Sequence, residues 1–252
     1  MSNIRYYTAP EEVSMGDQWF ELATLDHFWI IWRFDFFKKF AKSALINDQR
    51  FFEVGCGHGI AINQFESNYT VTVDGCDLNE YALKKIQNNK GNIYCYNIYQ
   101  KMAEFKEKYD GVILFDVIEH IDDDIDFLKT SCFHVKKGGL VMIDVPAYQS
   151  MYSKYDAVIG HKRRYTKKLL KERMEAAGIT DVKLSYWGIS LVPLLFIRKF
   201  VLLFKNDNIA SDGFKSPQGF IKKVLFFVMR LELSLFSKPV IGTSLIAYGR
   251  KS

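Results

Sequence analysis

Cysteine is scarce and scattered in this chain of 252 residues. Its four copies, Cys56, Cys76, Cys95 and Cys132, include no Cys-x-x-Cys pair. That spacing excludes a zinc ribbon or a disulfide scaffold and makes a reducing compartment the default. Met1 to Phe20 carries Glu11, Glu12 and Asp17 and no long apolar run, so no signal peptide is read there. Leu184 to Ile197 is uncharged for 14 residues, short of the ~20 that span a bilayer. No internal repeat and no low-complexity linker is present. What is there is ordinary globular material, 48% apolar and 25% charged. The length fits one large domain, or one domain with an insertion. Charge is unevenly placed. Residues 188–252 hold 10 Lys/Arg against 3 Asp/Glu, a surplus of +7, while the chain as a whole carries +5. The same quarter is rich in Leu, Phe, Ile and Val. Nucleic-acid binders are basic and polar together, so a basic and apolar segment points to a membrane surface or a packed lid.

From residue 50 onward, short apolar runs alternate with helical patterns. Strands are expected at Phe51–Val54, Val71–Cys76, Ile93–Tyr96, Gly111–Phe115, Leu140–Val145 and Val182–Trp187, and a last one at Ser244–Tyr248. Helices fall between them, one opened by Thr166 as N-cap and closed by Gly178. Strands alternating with helices imply βαβ units and a parallel sheet, and near-continuous apolar strands imply helices on both faces. Before the sheet, Trp19 to Leu45 carries an aromatic helical pattern. The expected organisation is a helical lid over 1–48, an α/β core over 49–187, an apolar basic helical insertion over 188–240, and a last core strand in 241–252.

Glu53-Val54-Gly55-Cys56-Gly57-His58-Gly59 follows a strand and opens a helix. Glycines admit a ligand close to the backbone, and a helix start offers unpaired N–H groups. A dinucleotide loop wants Gly-x-Gly-x-x-Gly, but Ile60 stands at the sixth position. Asp77 ends the next strand, 22 residues after Gly55. A carboxylate there accepts both hydroxyls of a ribose; the competing structural role is a helix N-cap.

These motifs, with Phe115-Asp116-Val117-Ile118-Glu119-His120 after the fourth strand and Lys137-Gly138-Gly139-Leu140 before the fifth, resemble in order those of class I S-adenosylmethionine-dependent methyltransferases. Within that group the chain resembles ubiquinone-type and other small-molecule O-methyltransferases, and relatives found with sugar and lipid biosynthesis. Asp26-His27-Phe28-Trp29 and Gly160-His161-Lys162-Arg163-Arg164-Tyr165 carry that nearer likeness. The resemblance implies a Rossmann-like fold with a seven-stranded, mostly parallel sheet and S-adenosylmethionine as cofactor. Gly55, Cys56, Gly57 and Gly59 would hold its methionyl part, with Glu53 supporting the loop or the amino group. Asp77 would take the ribose, and Leu78 would pack on the adenine. Asn97 and Ile98 follow the third strand, where relatives often carry an acid, and Asn97 would substitute as acceptor. Phe115 and Asp116 would border the methionine end.

The Asn/Asp-Pro-Pro-aromatic element of base-amino methyltransferases is missing, since none of the five prolines are adjacent, and no cysteine nucleophile follows the fourth strand. A nucleic-acid substrate is therefore not expected. Two histidines compete as general base for a hydroxyl acceptor: His120, whose other role is to cap a helix and line the pocket, and His161, on the loop after the fifth strand. Asp116, Glu119 and His120 form an i, i+3, i+4 set that ubiquinone-type relatives use for a divalent cation; a metal-free pocket edge is the preferred reading. Arg164 is expected to bind a carboxylate or phosphate of the acceptor, with Tyr165 beside it. His27, Trp29 and Arg33 belong to the lid, contacting substrate or packing on the sheet. His58 is expected to pack in the cofactor loop and His134 to lie on the surface. In the insertion, Phe220–Phe236 sets Lys222, Lys223 and Arg230 among large apolar residues. This suits an interfacial helix, a helical cap or a dimer surface. The expected function is methylation, at oxygen, of a small or lipid- or glycan-linked acceptor, by a cytoplasmic enzyme with peripheral contact on the inner face of a membrane. An N-methyltransferase and a non-catalytic cofactor-binding regulator are the alternatives.

Overall fold

The computed structural model describes residues 4–13, 17–44, 48–204, 209–214 and 216–252, and only the backbone of 17, 18, 211 and 212. One sheet is formed by β1 (Ile4–Tyr6), β2 (Arg50–Val54), β3 (Thr72–Asp77), β4 (Ile93–Cys95), β5 (Tyr109–Phe115), β6 (Val135–Pro146), β7 (Ile179–Trp187) and β8 (Ser244–Lys251). Its order is β1-β4-β3-β2-β5-β6-β8-β7. All pairs are parallel except those of β8, which runs antiparallel to β6 and β7. The helices are α1 (Asp17–Leu22), α2 (Phe28–Phe40), α3 (Ile60–Asn68), α4 (Glu80–Lys84), α5 (Asp124–Phe133), α6 (Lys154–Val158), α7 (Lys167–Ala176), α8 (Val192–Leu203), α9 (Ile209–Phe214) and α10 (Gly219–Leu235).

Alternation along each strand divides the core into two layers. Phe52, Val112, Leu114, Val141 and Ile143 face the α5 and α7 side, with Phe127, Leu128, Leu170 and Met174 packed on them. Phe51, Ile113, Phe115, Leu140 and Met142 face the other side, against Trp32, Phe36 and Phe37 of α2 and Ala61, Ile62 and Phe65 of α3. A helix whose apolar residues extend well beyond one stripe must be covered on more than one side. α2 satisfies this by lying between the sheet and α10, with Ile30, Trp32, Phe34, Phe36 and Phe37 all buried.

Three features depart from the sequence reading. The sheet has eight strands, because Ile4–Tyr6 pairs parallel with Ile93–Cys95 at its edge, inside the stretch expected to be a helical lid. Three residues are too few to show a period. They are held by Tyr7, whose ring meets Tyr94, Tyr96 and Phe105 edge-on at 5.0–6.0 Å. The aromatic pattern of Trp19–Leu45 is broken into α1 and α2, because the His27 side chain caps α2 by accepting the Trp29 N–H. His134 is fully buried, not on the surface. Its Nδ1 donates to the Thr130 carbonyl at 3.0 Å, and the Tyr96 hydroxyl meets its Nε2 at 3.1 Å.

The segment between β7 and β8 contains α8, α9 and α10. Glu232 of α10 is buried, and its carboxylate accepts the N–H groups of Gly188, Ile189 and Ser190 and the Ser190 hydroxyl at 2.7–3.1 Å. That bond set ties α10 to the end of β7. Among the described residues, no helix is long and apolar enough to cross a membrane.

Candidate active site

Strand order reverses at β2, which has β3 on one side and β5 on the other. Ligands in open α/β sheets bind at such a point, outside the C-terminal strand ends. A cavity of about 470 Å³ lies there, lined by Glu53, Gly55, Cys56, Gly57, Asp77, Leu78, Asn97, Ile98, Phe115, Asp116 and His120, among others. Nearly all residues expected to hold the cofactor are thus brought together. Gly59 is not among the lining residues. It caps α3 with φ +81°, a conformation that favours glycine.

Asp77 sets the loop and faces the cavity at once. Gly57 N–H donates to its Oδ2 and Asn79 N–H to its Oδ1, each at 2.8 Å. Desolvation raises its pKa while these amides oppose the rise. Glu53 accepts the Ile62 N–H at 3.0 Å, and burial pushes its carboxyl up to about 8. A buried acid on a cavity wall suits a cationic partner such as an α-ammonium group. Asn97 is used differently from expectation. Its side-chain oxygen accepts the Tyr99 N–H at 3.1 Å, and its amide nitrogen donates to Glu11 at 3.3 Å. The acid at this end of the cavity is therefore Glu11, supplied by the N-terminal segment, which no strand-end motif announces.

Asp116 sits in the left-handed region, φ +56°, immediately after β5. Such strain persists only where the surroundings hold it. Here Arg33 of α2 donates to Asp116 at 2.5 Å, and its guanidinium lies 5.0 Å from the Phe115 ring centroid and 5.2 Å from that of Trp29. Asp116 and Trp19 also line a second cavity of about 400 Å³, so the two cavities share a wall. Lining the second are His27, Trp29, Tyr155, His161, Arg164 and Arg198, with residues of α8, α9 and α10. His27 is neutral by its bonds, since Nδ1 accepts from Trp29 N–H and Nε2 donates to the Phe214 carbonyl at 2.8 Å; burial lowers its pKa. Its ring stacks on Phe214 at 4.3 Å. His58 packs as expected, with Nε2 donating to the Ala23 carbonyl at 2.6 Å beside Phe20.

The two candidate bases differ sharply. Burial and the neighbouring His161 depress His120 to about 3, too weak a base for a hydroxyl proton. His161 Nδ1 lies 2.9 Å from Asp156 Oδ1. Asp156 is fully buried and also accepts from Arg164 at 2.7 Å and from the N–H and hydroxyl of Ser153 at 2.8 and 2.9 Å. Those donors hold its carboxyl well below the usual range despite burial. An ionised carboxylate only accepts, so Nδ1 carries a proton, and the nitrogen that can act as base in the neutral ring is Nε2. Asp156 was not singled out in the sequence. It stands five residues before His161 in a short helix, where its spacing carries no signal.

One expected substrate contact is corrected. Tyr165 lines neither cavity; it is fully buried, and its hydroxyl donates to Asp124 Oδ2 at 2.8 Å beneath the site. Among the described residues, the group whose candidate ligand atoms lie within 4.8 Å of one another is Glu119, His120 and His161; the alternative set with Asp116 does not form. Asp116 is drawn away by Arg33. Arg164 does line the second cavity, but its guanidinium is engaged by Asp156 and by the Ala147 carbonyl at 3.2 Å.

Residues 25–184 match the family model of a methyltransferase domain, so the chain belongs to that family. Glu53, Asp77 and the glycine-loop backbone on the wall of the first cavity fit S-adenosylmethionine, the cofactor that the resemblance of the motifs implies. No curated protein matches the sequence. Among solved structures, the chain is similar to phosphoethanolamine N-methyltransferase 2 of Haemonchus contortus in complex with S-adenosyl-L-methionine. The TM-score is 0.58 at 18% identity, over 89% of this chain and 56% of that one. The chain thus spans little more than half the length of that relative. It is also similar to a SAM-dependent methyltransferase of Archaeoglobus fulgidus (TM-score 0.50, 19% identity, 81% of this chain and 86% of that one). The cyclase SpnF shares the fold too (TM-score 0.54, 12% identity, 87% and 79%). At these identities the likeness is one of fold.

Proposed function

We propose that the protein methylates a hydroxyl oxygen of a lipid-linked acceptor held in the second cavity. The observation that carries this reading is where that cavity leads. One end shares Asp116 with the cofactor cavity, and its rim includes Leu194 and Ile221, which are 46% and 62% exposed. Those two belong to an apolar face of α8 and α10 that also shows Phe200, Phe204, Phe220 and Phe227, each more than 60% exposed. Soluble surfaces seldom carry so many large apolar side chains together. Lys223 and Arg230 stand among them on α10, in the quarter of the chain with the +7 surplus. The occupant that matches apolar and basic character together is an anionic lipid surface.

In this reading the acceptor oxygen forms the new C–O bond as the C–S bond of the donor breaks, and the hydroxyl proton passes to His161 Nε2. Asp156 fixes the tautomer and steadies the imidazolium. Alignment of acceptor, carbon and sulfur supplies much of the acceleration, and the base about 10²-fold or more. The donor contributes an electrophilic methyl group; the remaining work belongs to the chain. Trp19, His27 and Arg33, before the core, and Leu195, Phe214 and Leu225, from the helices between β7 and β8, line the two cavities.

The test is incubation with methyl-labelled S-adenosylmethionine and a lysate separated into lipid and water-soluble fractions. Label is expected in the lipid fraction, with turnover falling at least about 10²-fold in His161→Gln. Label confined to water-soluble products refutes the lipid assignment. Full turnover of His161→Gln refutes the base and assigns an already nucleophilic acceptor such as an amine.

A further inference from the structure

The second cavity holds a cation that the transfer step does not use. Arg198 reaches into it from α8. Its Nη1 donates to the Gly213 carbonyl at 2.9 Å, and its guanidinium carbon lies 4.3 Å from the centroid of the buried Tyr155 ring. Its Nε is enclosed and has no hydrogen-bond partner among the described residues. No carboxylate of the described residues lies within ion-pair distance of it. The other charged residues that line it are paired: Asp116 with Arg33, and Arg164 with the buried Asp156 behind the wall. His27 is neutral. Among the described residues, the cavity wall therefore carries one positive charge with no carboxylate partner, on a group with an unused donor. Enclosing an uncompensated charge is costly, and a guanidinium fork pairs best with phosphate or carboxylate.

We propose that Arg198 recognises an anionic group, a phosphate or a carboxylate, on the methyl acceptor. This rests on the reading that the second cavity receives the acceptor, and it narrows the substrate to an anion-bearing molecule. The sequence pointed to Arg164 for this part, on guanidinium chemistry and its place in the loop after the fifth strand. The fold spends Arg164 on Asp156 and presents Arg198 instead. An anion at Arg198 and an apolar rim at Leu194 and Ile221 define an amphiphile, its head inside and its chain toward the exposed face of α8 and α10.

Binding, not turnover, is the measurement, so the outcome is independent of whether His161 is the base. Octyl phosphate, octanol and inorganic phosphate are titrated calorimetrically into the protein saturated with S-adenosylhomocysteine, for wild type, Arg198→Gln and Arg198→Lys. Octyl phosphate is expected to bind wild type and to weaken about 10-fold or more in Arg198→Gln, as for loss of a charge-assisted hydrogen bond. Arg198→Lys should recover part of the loss, and octanol should bind all three alike. Inorganic phosphate matching octyl phosphate would support the proposal with a small soluble phosphate as the source; a clear advantage for the octyl chain supports it with a lipid-borne one. The proposal is overturned if wild type binds neither phosphate, or if octyl phosphate binds Arg198→Gln as tightly as wild type. It is equally overturned if octanol weakens by the same factor, which would make Arg198 a strut for Gly213.

Discussion

Replacing Asp77 by Asn separates the two tasks of one carboxylate. Its oxygens each accept one backbone N–H at 2.8 Å, from Gly57 and Asn79, and each retains a lone pair toward the cofactor cavity. Asn keeps the shape but offers a single acceptor oxygen and no charge. One ribose hydroxyl loses a charged acceptor, which is worth about 1.5–3 kcal/mol, or roughly 10- to 100-fold in Kd. One backbone N–H also faces an amide nitrogen, so the glycine loop loosens. Asp77→Ala removes both anchors and should weaken binding further. Calorimetry with S-adenosylhomocysteine, adenosine and methionine apportions the effect. The adenosine loss should follow that of S-adenosylhomocysteine, and methionine should change little. Thermal unfolding of the cofactor-free variants reports the loop's own share. S-adenosylhomocysteine binding to Asp77→Asn within twofold of wild type would remove Asp77 from the ribose. Tighter binding of NADH than of S-adenosylmethionine would refute the placement of the cofactor altogether.

Acid should destabilise the fold through His134. Burial holds it to about 4, below the ~6.5 of an exposed imidazole, so its contribution is complete above pH ~6.5 and is lost as pH falls toward 4. The shift corresponds to about 3 kcal/mol, read as the change between pH 7 and 4.5 in the urea-midpoint gap between wild type and His134→Gln; a pH-independent gap contradicts it. Gly91→Ala would place a Cβ 2.1 Å from the Val73 carbonyl oxygen, and a loss of at least about 2 kcal/mol is expected in urea unfolding; an unchanged midpoint contradicts the close approach. Turnover is expected to survive EDTA, since Asp156 already orients His161; a loss restored by a divalent cation would assign a metal to Glu119, His120 and His161. Changing Lys222, Lys223 and Arg230 to Gln should weaken co-sedimentation with anionic vesicles by about 1 kcal/mol for each charge that faces lipid, and less at high salt. Lys222 is partly engaged by Asp26 at 3.2 Å, so the loss should fall short of three full increments. Indifference to vesicles at every salt concentration would return α8 and α10 to a cap or dimer surface.

By itself the sequence determined seven of the eight strands, the fold class, and the motifs that line the first cavity. These are local matters. A buried strand is a continuous apolar run, the glycine loop and Asp77 are separated by one βαβ unit, and the turn after β5 carries its motif in consecutive residues. What converges from afar was decided only by the tertiary structure. Glu11 reaches the cofactor cavity because β1 joins the sheet edge beside β4, an event three residues long. Arg33 takes Asp116 across 83 positions, which removes that acid from the metal-like set and leaves His161 in its place. Tyr165 turns inward because Asp124 awaits its hydroxyl. The proposed preference for His161 over His120 rests on Asp156 beside one ring and on the burial of the other against His161, although both histidines read alike in the chain. Arg198, one of ten cations in an apolar basic segment, is set apart from the other nine only by the cavity that encloses it, because unmatched charge is a property of packing, not of spacing.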